Sequence, residues 1–123
     1  MTNDPNALLT SYFRANQILI DTSRHLTAAN VDTFLTVAML ESREDMSEGV
    51  RLRAIGEATG RSFTRVSHDM RSLGKGVRRG RPGAGLVETE IAPDNMREKV
   101  ARLTPKGREV LGRLREALLA SDG

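Results

Sequence analysis

Apolar residues fall at three- and four-residue steps through most of the chain, and they switch to near-alternation once, between residues 85 and 103. Asn6 to Arg24 carries Leu8, Leu9, Tyr12, Phe13, Ile18, Leu19 and Ile20 at helical spacing, and Asp4-Pro5 supplies a start signal. That apolar face is wide for a lone surface helix, so it is expected to cover its own domain or the same helix of a second copy, with the second copy favoured. Thr27 or Asn30 can cap a second helix running to Glu41, with Val31, Phe34, Leu35, Ala38 and Met39 as its inward face. Ser42 to Gly49 reads as a polar loop, and Val50 to Leu52 as a short strand.

The stretch from Leu52 to Leu73, LRAIGEATGRSFTRVSHDMRSL, has the parts of a helix-turn-helix. Such a pair needs a small residue where the helices cross, a glycine in the turn and apolar residues on the second helix that pack back, and Gly56, Gly60 and Val66 meet these needs. Ile55 and Ala58 face inward on the first helix; Phe63, Val66, Met70 and Leu73 do so on the second, with Ser62 as its N-cap. The opposite face then carries Thr64, Arg65, Ser67, His68 and Arg71, side chains able to meet phosphates and base edges.

Beyond Leu73 the sequence GKGVRRGRPGAG lacks a packing pattern and is expected to be a flexible basic loop. Gly85 to Ile91 alternates as a strand, Ala92 to Glu98 reads as a hairpin tip, and Lys99 to Leu103 returns, making a β-wing. Thr104-Pro105 opens a last helix with Val110, Leu111, Leu114, Leu118 and Leu119 on one face, and the first helix is its expected partner. The organisation is therefore a dimerisation helix over 1–26, a winged helix-turn-helix over 27–104 with the basic Gly-rich loop at 74–85, and a second dimerisation helix over 105–123. The fold class is mainly α with a small β-wing.

Charge sharpens the functional reading. From Arg61 to Arg81 there are seven cations and one acid, Asp69, a net of +6, while the chain as a whole is +3 and the remainder therefore −3. Basicity confined to one segment marks a polyanion-binding surface. At 123 residues, with 38% hydrophobic residues, 3% aromatics and no Trp, the chain can build a modest aliphatic core that a second copy would help to complete. The absence of Cys removes disulfides and thiolate chemistry, and two His give no basis for a structural zinc site. There is no apolar run of about 18 residues to span a membrane, and MTNDPNALL lacks the features of a secretion signal, so a cytoplasmic location is expected. Glu41, Glu44, Asp45 and Glu48 are expected to be solvated loop acids. With no phosphate loop, Ser-His-Asp set or dinucleotide fingerprint, neither an enzyme nor a cofactor is expected.

The order helix, helix, helix-turn-helix, wing and terminal helix, with the wing closing in Leu103-Thr104-Pro105-Lys106-Gly107, resembles the MarR family of winged-helix transcription regulators. Leu26-Thr27-Ala28-Ala29-Asn30 is similar to the family's approach to its second helix, and IGEATGRSFTRVSHDMRSL to its paired DNA-binding helices. The resemblance implies a homodimer with interlocked terminal helices, recognition helices in successive major grooves, wings on the flanking minor grooves, and an inverted-repeat operator. It also implies a repressor, released by an unidentified small-molecule effector. On this reading Ser62, Thr64, Arg65, Ser67, His68 and Arg71 contact the major groove, Arg97 serves the wing, and Lys99 and Arg102 support it.

Four features depart from the family pattern: residues 74–85 intervene before the wing, Arg61 stands where a hydrophobic residue is usual, Asn95 and Met96 separate Asp94 from Arg97 where the wing tip usually carries an acid–Arg pair, and the last helix ends soon after Leu119. Within that insertion Arg78-Arg79-Gly80-Arg81-Pro82 resembles the core of an AT-hook, in which arginines lie along a narrow A·T-rich minor groove. Lys75, Arg78, Arg79 and Arg81 are accordingly a second candidate DNA contact. Two alternatives remain open: a plasmid or phage DNA-organising or partition-type protein, and a winged-helix module that binds protein.

Overall fold

The computed structural model describes residues 4–78 and 81–119; the side chains of residues 77, 78 and 81 lie outside that description. Among the described residues there are five α-helices, a 3-10 turn at Glu44–Met46 and a three-stranded antiparallel sheet, in the order α1 (Pro5–Thr22), α2 (Ala28–Glu41), β1 (Val50–Arg51), α3 (Leu52–Thr59), α4 (Phe63–Leu73), β2 (Gly76–Arg78), β3 (Arg81–Pro82), β4 (Val87–Ala92), β5 (Asn95–Leu103) and α5 (Pro105–Leu119). The sheet order is β1-β5-β4, and β2 pairs with β3 in a separate two-stranded ribbon. No described helix is long and apolar enough to cross a membrane.

Local chemistry explains the helix starts. The Asp4 carboxyl accepts from the Asn6 backbone N–H at 3.0 Å, with Pro5 in the first helical position. At α2, Thr27 Oγ1 accepts from the Asn30 N–H while Asn30 Oδ1 accepts from the Thr27 N–H, so two orphan donors are satisfied reciprocally. Thr104 Oγ1 accepts from Gly107 N–H at the head of α5. The core then assembles from Phe34 and Val37 of α2, Ile55 of α3, Val66 and Leu73 of α4, Leu86, and Val100 and Ala101 of β5. Val110 and Leu114 of α5 and Ala15 of α1 join it from the terminal helices, which pack on each other.

Several sequence expectations are corrected. On α2 the buried residues are Asn30, Thr33, Phe34, Thr36, Val37 and Ala38, and all but Thr36 follow a regular i, i+3, i+4 series in which polar side chains hold core positions. Leu35 and Met39 face outward because Asn30 and Thr33, with Phe34, Val37 and Ala38, set the inward face of the helix. Ala58 is exposed for a related reason: Leu52 and Ile55 make the inward face of α3. Leu118 and Leu119 also stand exposed.

The segment 74–85 is no free loop among its described residues. Its β2–β3 ribbon returns the chain to the end of α4, where Ala84 N–H donates to Ser72 O (2.9 Å) and Leu86 N–H to Leu73 O (2.7 Å). These bonds satisfy carbonyls that the end of a helix would otherwise leave open. Ala84 and Leu86 are buried beneath it. The wing is tighter than expected, since β5 already begins at Asn95 and only Pro93-Asp94 separates the strands. Glu41 is not a solvated loop acid: it accepts from the Leu103 N–H at 2.9 Å and pairs with Arg108 at 2.7 Å, tying the end of α2 to β5 and α5.

The polar contents of α2 have a partner on α4. Asp69 is fully buried, and its two carboxyl oxygens accept from Asn30 Nδ2 and Thr33 Oγ1, each at 3.0 Å. Arg61, in the turn before α4, donates to Thr33 Oγ1 at 2.8 Å and to Asp32 Oδ2 at 2.5 Å. Asp69→Ala strands the two buried donors, and is expected to lower stability by about 2–3 kcal/mol, read from the shift in denaturant midpoint. An unchanged midpoint would show that the cluster contributes nothing to α4.

Candidate nucleic-acid interface

The α3–α4 turn is set by two glycines. Gly60 ends α3 with φ at 73°, a left-handed conformation that suits glycine, and its N–H donates to Gly56 O at 2.8 Å. A Cβ on Gly56 would lie 3.1 Å from the Arg61 carbonyl oxygen and 3.9 Å from Val66, which is the close crossing the sequence calls for. Ser62 then caps α4 by accepting from the Arg65 N–H at 3.2 Å.

Val66, Asp69, Met70 and Leu73 form the inward face of α4. Thr64, Arg65, His68 and Arg71 are exposed, and Ser67 is half-buried at the flank. The expected contact face is therefore open to solvent as a unit. Its electrostatics are cleaner than residue counting suggests, because Asp69, the lone acid between Arg61 and Arg81, is inside. Arg61 is turned away as well, held by α2. Removing one cation and one anion leaves the net unchanged but clears acid from the exposed surface of α4.

One groove runs from α4 to the wing and brings together Phe63, Ser67, Arg71, Lys75 and Lys99. A second, at the start of α4, is lined by Phe63 together with Arg53, Arg61, Arg97 and Lys99 and with the acids Glu57 and Glu98. On the opposite flank of α4, Arg65, His68 and Ser72 face His25 and Pro82 across a small hollow. The two grooves share Leu52, Phe63 and Lys99 and so bring Ser67, Arg71 and Lys75 together with the wing cations Arg97 and Lys99, whereas Arg65 and His68 line the separate hollow and Ser62 and Thr64 line none of the three. Arg102 is placed elsewhere: it donates to Glu90 at 2.9 Å and to the Glu48 carbonyl at 2.5 Å, at the base of the sheet. Arg79 lies outside the described residues, as do the side chains of Arg78 and Arg81. Among the described residues no cluster of His, Cys, Asp or Glu could hold a metal ion.

Two features escaped the sequence reading. Phe63, expected in the core from its place in the apolar stripe, is 65% exposed; it stands on the first turn of α4, at the rim of the packed region. The signal available was its position next to the N-cap. The other is Arg51, which lies in β1 and reaches across β5 to the wing tip, where Nη2 donates to both Asp94 carboxyl oxygens at 2.6 and 2.7 Å. Arg51 and Arg53 also pair with Glu98. Asp94 is thus engaged by a residue more than forty positions earlier, and Arg97 is left without an ion pair among the described residues, its backbone N–H donating to Asn95 Oδ1 at 3.0 Å.

No protein-family model and no curated protein sequence matches the chain. Solved structures do. S. aureus MepR in complex with DNA superposes with a TM-score of 0.66 at 18% identity, covering 90% of this chain and 71% of that one. PcaV of Streptomyces coelicolor, in complex with its natural ligand, gives a TM-score of 0.56 at 21% identity over 98% and 76% of the two chains. CouR of Rhodococcus jostii RHA1, bound to p-coumaroyl-CoA, gives 0.59 at 18% identity over 92% and 68%. At these identities the likeness establishes the fold alone, a winged helix-turn-helix.

The hydrogen bonds from Arg51, reinforced by its charge, hold the Asp94 carboxyl below its ordinary range. A depressed carboxyl contributes its stabilisation above the ordinary aspartate range and loses it as pH falls through the lowered value. In a carboxyl NMR titration, Asp94 is expected to titrate below ordinary aspartates in the intact chain and to return to their range in Arg51→Gln. An ordinary midpoint in the intact chain would contradict the wing-tip tie.

Proposed function

We propose that this chain binds double-stranded DNA through α4 and the wing, and that it acts as a homodimeric transcription regulator on an inverted repeat, with repression the expected sense. The observation that carries the reading is the open face of α4, hydrogen-bonding and cationic, its acid turned inward, standing beside a wing that presents Arg97 and Lys99. A neighbour of the same fold solved on DNA supports it. Two others solved with small molecules support an effector-responsive regulator, the effector of this chain being unidentified.

Each side chain has a role in this reading. Thr64, Arg65, Ser67, His68 and Arg71 meet base edges and phosphates in the major groove, and Ser62 contributes at the head of the helix. Arg97 enters the flanking minor groove, with Lys99 on the adjoining backbone. Lys75, Arg78, Arg79 and Arg81 add a second contact from the β2–β3 segment. Arg102 holds the base of the wing rather than the nucleic acid. Terminal segments 1–26 and 105–123 form the dimer: Leu8, Leu9, Tyr12, Phe13 and Ile20 of α1, with Leu118 and Leu119 of α5, leave a broad apolar surface that a second copy would cover.

Arg65→Ala is expected to weaken binding to a selected duplex by about tenfold and to a random duplex far less. Arg79→Ala is expected to weaken both evenly and to reduce the slope of log affinity against log salt by about one. Titrations of both variants on the two duplexes across a salt series check this; equal losses for Arg65→Ala would remove its base-reading role.

A further inference from the structure

We propose that Phe63 reads thymine, through contact of its ring with a C5-methyl group in the major groove. The inference rests on the DNA-binding reading and adds to it an apolar specificity determinant. Phe63 is the first residue of α4, directly after the Ser62 cap, and the N-terminal residues of a recognition helix are those that reach base edges. Its ring is 65% exposed, so it is not needed to fill the core.

Its surroundings select the partner. The two grooves that Phe63 lines hold Arg71, Lys75, Arg97 and Lys99, which make no ion pair among the described residues, together with Arg53 and Arg61, whose charges are met by Glu98 and Asp32, and the acids Glu57, Glu88 and Glu98. An aromatic ring beside four unpaired cations suits a polyanion that presents an apolar group between its charges, and poorly suits an apolar protein surface. On the base edges of the major groove, thymine supplies that apolar group in its C5-methyl, and apolar side chains recognise it by contact. Thr64 and Ser67, beside Phe63 on the helix, supply hydrogen bonds to neighbouring edges. The resulting half-site contains a thymine whose recognition depends on its methyl group and on no hydrogen bond.

The test starts from a duplex selected out of a random library and replaces each thymine singly with deoxyuridine, which deletes the methyl and keeps the pairing edge. For the intact chain, at least one such replacement is expected to weaken binding about fourfold, the worth of one buried methyl-sized group. Phe63→Ala is expected to bind the uracil and thymine duplexes equally, to lose affinity for the selected duplex, and to keep its affinity for random DNA. Phe63→Leu should retain part of the discrimination. Uracil sensitivity that persists in Phe63→Ala, insensitivity of the intact chain at every thymine, or equal losses on selected and random duplexes would overturn the assignment while leaving DNA binding in place. An intact chain that binds no duplex at low salt would overturn the DNA-binding reading and this assignment with it.

Discussion

The aim of α4 depends on a carboxyl group placed where carboxyl groups are seldom found. Asp69 is fully buried between α2 and α4, and burial of such a group is costly unless its oxygens are met by donors. Asn30 and Thr33 provide them, and Thr33 is itself approached by Arg61 from the turn. Directional bonds of this kind fix the rotation of a helix about its own axis more tightly than aliphatic packing, which tolerates small slides. Rotation is what matters for a helix that must present one face, because a turn of one residue replaces Arg71 by Met70 or Ser72 at the surface. The cluster therefore links the capping box of α2 to the orientation of the face that Thr64, Arg65, His68 and Arg71 occupy.

A second set of polar ties does the same for the wing. Arg51 precedes α3 and grips Asp94 and Glu98 at the far end of the hairpin, so the wing and the helix-turn-helix share one anchor. Isolated two-stranded hairpins are marginal in water. Here β1 adds a third strand and its arginine adds a clasp, leaving Arg97 and Lys99 exposed. The clasp also neutralises Asp94 and Glu98, acids that would otherwise oppose a polyanion at the wing. In both places the fold removes acid from the same side of the molecule: Asp69 by burial, and the wing acids by pairing.

Much of the architecture was legible because it is local. The starts at Asp4-Pro5, Thr27, Ser62 and Thr104-Pro105, the glycine at the turn and the alternation in the wing each act within a few residues. What escaped is the work of long-range polar contacts. Asn30, Thr33 and Asp69 are polar by type and show as inward only when α2 and α4 are seen together, whereas hydrophobic spacing alone points Leu35 and Met39 inward. Nothing near Arg51 in sequence announces Asp94, and nothing in GKGVRRGRPGAG announces that its return limb would close the end of α4 through Ala84 and Leu86. The candidate contact face, by contrast, follows directly from helical periodicity once Val66, Met70 and Leu73 are placed inside. Phe63 is the exception: its spacing matches that stripe, but its place on the first turn leaves it open.

The most direct test of the account is footprinting of the intact chain on a duplex selected from a random library. The expected result is protection of an inverted repeat whose half-sites lie about one helical turn apart, as two α4 helices in successive major grooves require. Extended protection without a repeat would contradict site-specific regulation and favour a DNA-organising role, and the absence of duplex binding at low salt would contradict the nucleic-acid interface itself.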